Sequence, residues 1–523
     1  MNKTNTAKTA SAEQQAKKRR RKFTVYTFLG MMFLVSAGWW LTNMGHMSFE
    51  QVLFHLQVPA QGANLSPVLS YLMVTVPLAI LGTIIVYFIV YGTERYAATF
   101  REGTLGFWKT ALFKVGRWLR RHALKFAAFI LIIGFLTLFF SFRLPEFIYY
   151  QVNQSSRWET EFSRVHADEM RFPEKKRNLI YIFLESMESS YTDKAHGGAY
   201  NENIIPNLTK LALEEGHDHF SNREGQLGGA QQPMTGLSWT IAGMVGQSAG
   251  IPLKVPLEAN AYGHNEPFLP GAVALGDILQ EQGYHLELMF GSDAGFGARD
   301  NYYREHGDYV INDYNAAKAD GRIPEDYMEF WGYEDEKLFE FAKDRLTELA
   351  AADEPFAFTC LTVDSHFPDG YHYADEPEPF NIPYGNALFN SDRRVYEFVQ
   401  WIRQQDFYEN TTVVISGDHL TMAEPFVSDI PSSYTRTVYN CILNSVVEPG
   451  KRGMTGRDFT TMDMFPTTLA AMGVTWQGNR FNYGTNLYSD QATLLEQLGM
   501  DGVNDMLNRH SDFYRHEFLL KED

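Results

Sequence analysis

Asn178-Leu-Ile-Tyr-Ile-Phe-Leu184 runs straight into Glu185-Ser186. Seven uncharged residues, rich in β-branched and aromatic side chains and too few for a stable helix, predict a strand buried on both faces of a parallel sheet. Runs of the same kind recur at His285–Phe290, Phe356–Val363, Thr411–Ser416 and Tyr439–Leu443. Helix-like stretches lie between or after them, at Ile205–Glu215, Ala272–Gln282, Glu334–Ala351, Ser391–Gln405 and Thr461–Met472. This alternation predicts an α/β domain over 177–523, with a mostly parallel central sheet covered by helices on both faces. The polar stretch Asp369–Asn390 reads as a long surface loop.

Upstream the chain changes character. Phe23–Thr42 runs 20 residues without a charge, Ser66–Gly92 runs 27, and Phe126–Phe142 runs 17 between Lys125 and Arg143. A helix rises about 1.5 Å per residue, so about 20 apolar residues cross a hydrocarbon core of roughly 30 Å. Three transmembrane helices follow, at about 23–42, 66–92 and 125–143. They make a membrane domain of 23–143, preceded by a basic tail (1–22) and followed by a polar linker (144–176). Lys17–Lys22 is an unbroken basic run, and Arg95–Lys125 holds eight Lys/Arg, whereas Asn43–Leu65 holds none. Positive flanks stay cytoplasmic, which places the N-terminus inside, 43–65 outside and everything after 143 outside the membrane. Leu105–Arg121 interleaves Phe, Trp and Leu with Lys and Arg; it reads as an amphipathic helix on the lipid surface or as a basic loop.

The net charge of −18 over 523 residues hides this division. Residues 1–143 hold 17 Lys/Arg against 4 Glu, or +13, and residues 144–523 hold 28 against 59 acidic residues, or −31. The acidic module is not a nucleic-acid binder. Cys360 and Cys441 are the only cysteines, so neither a disulfide framework nor a cysteine-rich zinc site can form.

Several of the expected strands end in chemistry. Asn178–Leu184 ends in Glu185, Thr411–Ser416 in Gly417-Asp418-His419, and Phe356–Val363 in Asp364-Ser365-His366; His285–Phe290 leads to Gly291-Ser292-Asp293. Ligands of open parallel sheets collect beyond the carboxyl ends of the strands, where these groups would converge. A carboxylate from one strand and an Asp-His pair from another make an oxygen and nitrogen donor set for a divalent cation. Each group alone also serves as a cap or a surface charge. The segment Gly228–Met234 leads through Thr235, Ser238 and Thr240 into an apolar helix. A hydroxyl at a helix start can face a phosphoryl group held by backbone N–H donors, or can be no more than an N-cap.

Four blocks occur in order: Asn178–Ser186, Thr235-Gly-Leu-Ser-Trp-Thr-Ile-Ala-Gly-Met-Val245 with Gly250-Ile-Pro-Leu253, Leu361–Gly370, and Ser416-Gly-Asp-His419. Over about residues 175–475 they resemble the lipoteichoic acid synthase / phosphoglycerol transferase I family of the alkaline phosphatase–sulfatase superfamily, the periplasmic-glucan phosphoglycerol transferases above all. The resemblance implies one divalent ion, Mn²⁺ with Mg²⁺ or Zn²⁺ as alternatives, bound by Glu185, Asp418, His419 and Thr235, with Thr235 as nucleophile. It implies substrate contacts from His366 and from Arg299. It also implies a ping-pong reaction: glycerol phosphate passes from phosphatidylglycerol in the lipid bilayer, through a phospho-threonine, to an envelope glycan or glycerol-phosphate polymer. Relatives place the threonine two residues before the Trp, where this chain has Leu237, so Ser238 and Thr240 stand beside Thr235 as candidate nucleophiles. The other readings are a phosphoethanolamine transferase, a phosphodiesterase or sulfatase-type hydrolase of the same fold, and a non-catalytic lipid-binding relative. Phosphoethanolamine transferases usually carry several disulfides, and sulfatases need a Cys/Ser-x-Pro-x-Arg motif. Neither suits these two cysteines.

Overall fold

The computed structural model describes residues 3–44, 47, 49–57, 66–92, 107–164, 169–256, 262 and 267–520. The chain divides into two compact units, Met1–His46 with Asn64–Phe147, and Met47–Ala63 with Ile148–Asp523.

The first unit is helical. Lys3–Asn43, Ser66–Tyr87 continued by a π-helical turn to Gly92, and Ala123–Ser141 contain stretches long and apolar enough to cross a membrane, and Phe107–Arg121 is a further helix. The helices Lys3–Asn43 and Ala123–Ser141 meet at two glycines. A Cβ on Gly134 would stand 2.3 Å from the Gly30 carbonyl oxygen, so the backbones approach as only small residues allow. Leu69, Met73, Ile85, Phe129 and Ile132 expose large apolar surfaces that water would penalise and lipid would not. The stretch Leu105–Arg121 is helical from Phe107, so the loop reading is set aside; Leu105 itself lies outside the described residues.

The second unit is built on a seven-stranded sheet. Its strands are β1 (Asn178–Leu184), β2 (His217–Asp218), β3 (His285–Phe290), β4 (Val310–Asn312), β5 (Phe356–Leu361), β6 (Thr411–Gly417) and β7 (Asn440–Leu443), in the order β2-β7-β6-β1-β5-β3-β4. The five strands from β6 to β4 run parallel, and β7 turns antiparallel to β6. In β1, Leu179, Tyr181 and Phe183 join the core on one face, while Ile180, Ile182 and Leu184 join the core on the other. That alternation explains why the decisive stretch reads as unbroken apolar sequence: side chains point alternately to opposite faces and here both faces are covered. Helices Thr240–Ala249, Leu275–Glu281 and Met464–Ala471 cover the first face, and Pro206–Leu213, Asp335–Ala350 and Pro383–Arg403 the second.

Two expectations need correction. The loop over Asp369–Asn390 ends early, because a helix starts at Pro383, whose fixed φ and missing N–H suit a first turn. The stretch 144–176 is not a free tether either. It begins in the helix Leu144–Val152, and Trp158 is fully buried, edge-on to Tyr483 at 5.5 Å and to Tyr514 at 5.3 Å. The two cysteines are free and buried, Cys360 on β5 and Cys441 on β7 with β6 and β1 between them. Strands stand about 4.8 Å apart, so the pair is beyond disulfide reach.

Candidate metal centre

Leu184 pairs with Gly417 in the β1–β6 register, so Glu185 and Asp418 leave neighbouring parallel strands at the same level. Donor atoms of Glu185, Asp418 and His419 lie within 4.8 Å of one another, and all three residues are buried. His419 Nε2 stands 3.7 Å from Glu185 Oε1 and 3.5 Å from Asp418 Oδ2.

The surroundings hold these groups still. The Glu185 N–H donates to Thr362 Oγ1 (3.0 Å), and the Ser186 hydroxyl donates to Glu185 Oε1 (2.7 Å). Asp418 Oδ1 accepts from the Ser186 N–H (2.8 Å) and the His419 N–H (2.7 Å). Ser186 adopts φ 54°, a left-handed conformation that costs a non-glycine residue roughly 1–2 kcal/mol and that turns its N–H onto Asp418. His419 Nδ1 lies 2.8 Å from the Leu420 carbonyl, which can only accept; Nδ1 therefore carries the hydrogen and Nε2 is left bare.

That bare nitrogen and Asp418 Oδ2 are both buried without a hydrogen-bond partner. Buried polar atoms are rarely left so, and two bare acceptors facing the Glu185 carboxylate need a positive charge between them. One imidazole nitrogen and two carboxylates fit a divalent first-row cation. Electrostatics agree. Burial and the Glu185 carboxylate push Asp418 well above the usual range. Burial works against ionising Glu185 too, but the rings of His366 and His419 and the Ser186 hydroxyl bring its carboxyl below its ordinary value.

The fourth expected member is elsewhere. The Thr235 hydroxyl donates to Asn508 Oδ1, and Thr235 is buried. Thr240 is the hydroxyl that reaches the cluster, donating to Glu185 Oε2 at 3.3 Å, and it is only half-buried. It opens the helix Thr240–Ala249, whose amino end lies directly on the Asp418 backbone: a Cβ on Gly243 would come 2.1 Å from the Asp418 carbonyl oxygen. Gln247 ties the same helix to the sheet, donating to the Gly417 carbonyl (2.8 Å) and accepting from the Tyr181 hydroxyl (2.9 Å). Leu237 is fully buried, packed toward Gly246, and the Ser238 hydroxyl is buried without a partner. The resemblance pointed to Thr235, with Ser238 and Thr240 beside it; of these three hydroxyls, the one the structure sets against the cluster is that of Thr240, in the first turn of a helix wedged against Asp418.

His366 and Arg299 stand beside the cluster. His366 Nδ1 is 2.9 Å from the Phe367 carbonyl, so Nε2 is again the bare nitrogen. Burial keeps this ring below the ordinary histidine value even though Glu185 raises it. Arg299 is buried, with its charge over the rings of Phe290 (4.3 Å) and Phe296 (5.8 Å). Its Nη2 donates to Ser292 Oγ (3.0 Å) and the Asp293 carbonyl (2.7 Å), its Nε to the Phe296 carbonyl (3.0 Å), and none of these bonds uses Nη1. Burial lowers its pKa to about 10, so the guanidinium stays charged at neutral pH. Ser292, which orients Arg299, follows β3 and was legible only as part of a strand end.

A parallel sheet that delivers an acid-acid-imidazole cluster and a helix-start hydroxyl to one rim defines the alkaline phosphatase–sulfatase class. The family model described as Sulfatase matches residues 177–474, and the chain belongs to that family. Phosphoglycerol transferase I of Xanthomonas campestris pv. campestris (strain B100) is 32% identical over 304 residues, 57% of this chain and 41% of that protein. The chain thus spans less than half the length of the curated relatives it matches. The lipoteichoic acid synthase LtaP of Listeria monocytogenes is similar at TM-score 0.45 and 18% identity, over 64% of this chain and 82% of that one. The lipooligosaccharide phosphoethanolamine transferase A of Neisseria meningitidis is similar at TM-score 0.49 and 13% identity, over 86% and 84%.

Proposed function

We propose that this chain is a metal-dependent phosphoglycerol transferase of the bacterial inner membrane, anchored by three helices with its N-terminus cytoplasmic and its catalytic domain outside. It takes glycerol phosphate from phosphatidylglycerol and passes it to an envelope glycan or glycerol-phosphate polymer. The observation that carries this reading is the buried cluster of Glu185, Asp418 and His419, with two unpartnered acceptors and the Thr240 hydroxyl against it. Relatives named phosphoglycerol transferase I support the choice of headgroup. The basic segments on one side of each apolar helix support the orientation.

Glu185, Asp418 and His419 would hold the cation, with Mn²⁺ the first choice. When bound it would neutralise the two carboxylates, polarise a phosphoryl oxygen and ease ionisation of an alcohol. Thr240 Oγ1 forms the new bond to phosphorus as the bond from phosphorus to the diacylglycerol oxygen breaks. The hydroxyl proton ends on the released diacylglycerol, carried by His366 Nε2. In the second half an acceptor hydroxyl attacks the phospho-threonine, and Thr240 recovers its proton. Arg299 offers fixed positive charge to the phosphate.

Purified full-length protein supplied with labelled phosphatidylglycerol and Mn²⁺ tests this, with phosphatidylethanolamine as the competing donor. Thr240→Ala should lose diacylglycerol release by roughly 10³-fold or more, as loss of a covalent nucleophile does, while Thr235→Ala keeps it. The opposite pattern would return the role to Thr235. Preference for phosphatidylethanolamine would favour the phosphoethanolamine transferase reading.

A further inference from the structure

The second unit contains a segment that the sequence places between two apolar helices. Phe49–Gln57 forms a helix that belongs to the catalytic unit, far outside the matched residues 177–474. Phe54 is fully buried, 5.5 Å from the ring of Trp239 and 5.7 Å from that of Tyr262. Glu50 is buried; its Oε1 accepts from the Val255 N–H (2.9 Å) and pairs with Lys254 Nζ at 3.1 Å. Gln51 is buried and its Nε2 lies 3.4 Å from Met422 Sδ. The helix therefore grips both catalytic loops at once, since Trp239 immediately precedes Thr240 and Met422 follows His419 by three residues.

A further side chain of this helix reaches toward the site. His55 is exposed, its ring 6.2 Å from that of Phe296, which also backs Arg299. Phe296 continues to Trp331 (5.4 Å) and Trp331 to His366 (4.6 Å), so the two histidines stand on one aromatic wall. His55 Nδ1 is 2.8 Å from the Gln51 carbonyl, which fixes the hydrogen there and leaves Nε2 as a bare acceptor. Although the residue as a whole is open to solvent, its ring lies against Phe54 and Phe296, and this desolvation, opposed by the bond to Gln51 and helped by the nearby His366, lowers its pKa from 6.5, so it is neutral at pH 7.

We propose that His55 is a substrate-contacting residue, whose Nε2 accepts a hydrogen bond from a substrate hydroxyl in front of the Phe296–Trp331 wall, and that the Phe49–Gln57 helix completes the site. A neutral acceptor suits an alcohol and not the phosphate itself. Two hydroxyls qualify, one on the glycerol of the donor and one on the acceptor. This rests on the phosphotransferase reading above for its substrate, but not for its geometry.

The test uses the full-length, Mn²⁺-loaded protein. Binding of glycerol phosphate and of inorganic phosphate is measured by calorimetry, alongside diacylglycerol release from phosphatidylglycerol and transfer to free glycerol as acceptor. For a donor contact, His55→Ala should weaken glycerol phosphate binding and diacylglycerol release about tenfold, the usual scale of one lost hydrogen bond. Inorganic phosphate binding and metal content should stay unchanged, and His55→Gln, which retains an acceptor, should recover most of the loss. For an acceptor contact, only the transfer to glycerol slows. Unchanged binding, release and transfer in His55→Ala would overturn the proposal, as would an equal loss of phosphate and glycerol phosphate binding. Failure of the wild type to use phosphatidylglycerol would sink the proposed function, while a His55-dependent preference for glycerol phosphate over phosphate would still stand.

Discussion

Replacing Asp418 with Asn separates the metal centre from the fold. Asn can keep both bonds that Asp418 Oδ1 accepts, from Ser186 and His419. It turns the unpartnered Oδ2 into an N–H₂ facing Glu185 and the bare His419 Nε2. The metal-free variant should therefore be at least as stable as wild type. The pH dependence has a definite sign. Asp418 in the fold is raised well above its ordinary 3.8, so below about pH 4 the folded and unfolded states both hold the proton. As pH rises from there to the folded pKa, the unfolded chain releases its proton and the fold does not. Metal-free wild type then loses about 1.4 kcal/mol per pH unit, a loss that the uncharged amide of the Asp418→Asn variant does not incur. Glu185 runs the other way, its lowered pKa adding stability above about pH 4.5 that is lost on acidification, and it does so in both proteins. Adding cation at a hundredfold its Kd should stabilise wild type by about 2.7 kcal/mol, or roughly 3–4 °C in melting temperature for a unit of this size, and leave Asp418→Asn unmoved. Differential scanning fluorimetry of detergent-solubilised protein across pH 5–8, with and without Mn²⁺, reads all of this. A metal shift that survives in the variant, or a metal-free variant that melts several degrees below wild type, would refute the assignment.

Trp158→Ala should cost about 3–5 kcal/mol, because it empties the space between Tyr483 and Tyr514, and should lower the melting temperature by roughly 4–6 °C. A shift under about 2 °C would mean that the stretch after the last apolar helix is not anchored there. Since burial lowers the His366 pKa, the acid limb of the transfer rate at saturating Mn²⁺ should fall below pH 6.5, and His366→Gln should erase that limb. A limb centred at 6.5 or above would contradict the buried, neutral ring.

Much of this molecule is legible from local pattern. The run Asn178–Leu184 announced a doubly covered strand, and the cluster residues Glu185, Asp418 and His419 followed from their places after β1 and β6, since register in a parallel sheet sets strand ends level. Which hydroxyl lies against the cluster was harder to read. Thr235, Ser238 and Thr240 lie within six residues, and spacing cannot tell which hydroxyl faces a cluster whose ligands come from about 50 and 180 residues away. Trp158 looked like part of a polar stretch because its partners Tyr483 and Tyr514 lie more than 300 residues downstream.

Composition and periodicity by themselves determined the apolar helices, the charge division and the doubly covered sheet, because each is written in neighbouring residues. Only the folded chain decided that Thr240 meets Glu185 while Thr235 turns to Asn508, and that Phe49–Gln57 joins the catalytic unit. These are contacts between distant segments, where a Gly243 without a Cβ or a buried Phe54 chooses the partner, and no local pattern records that choice.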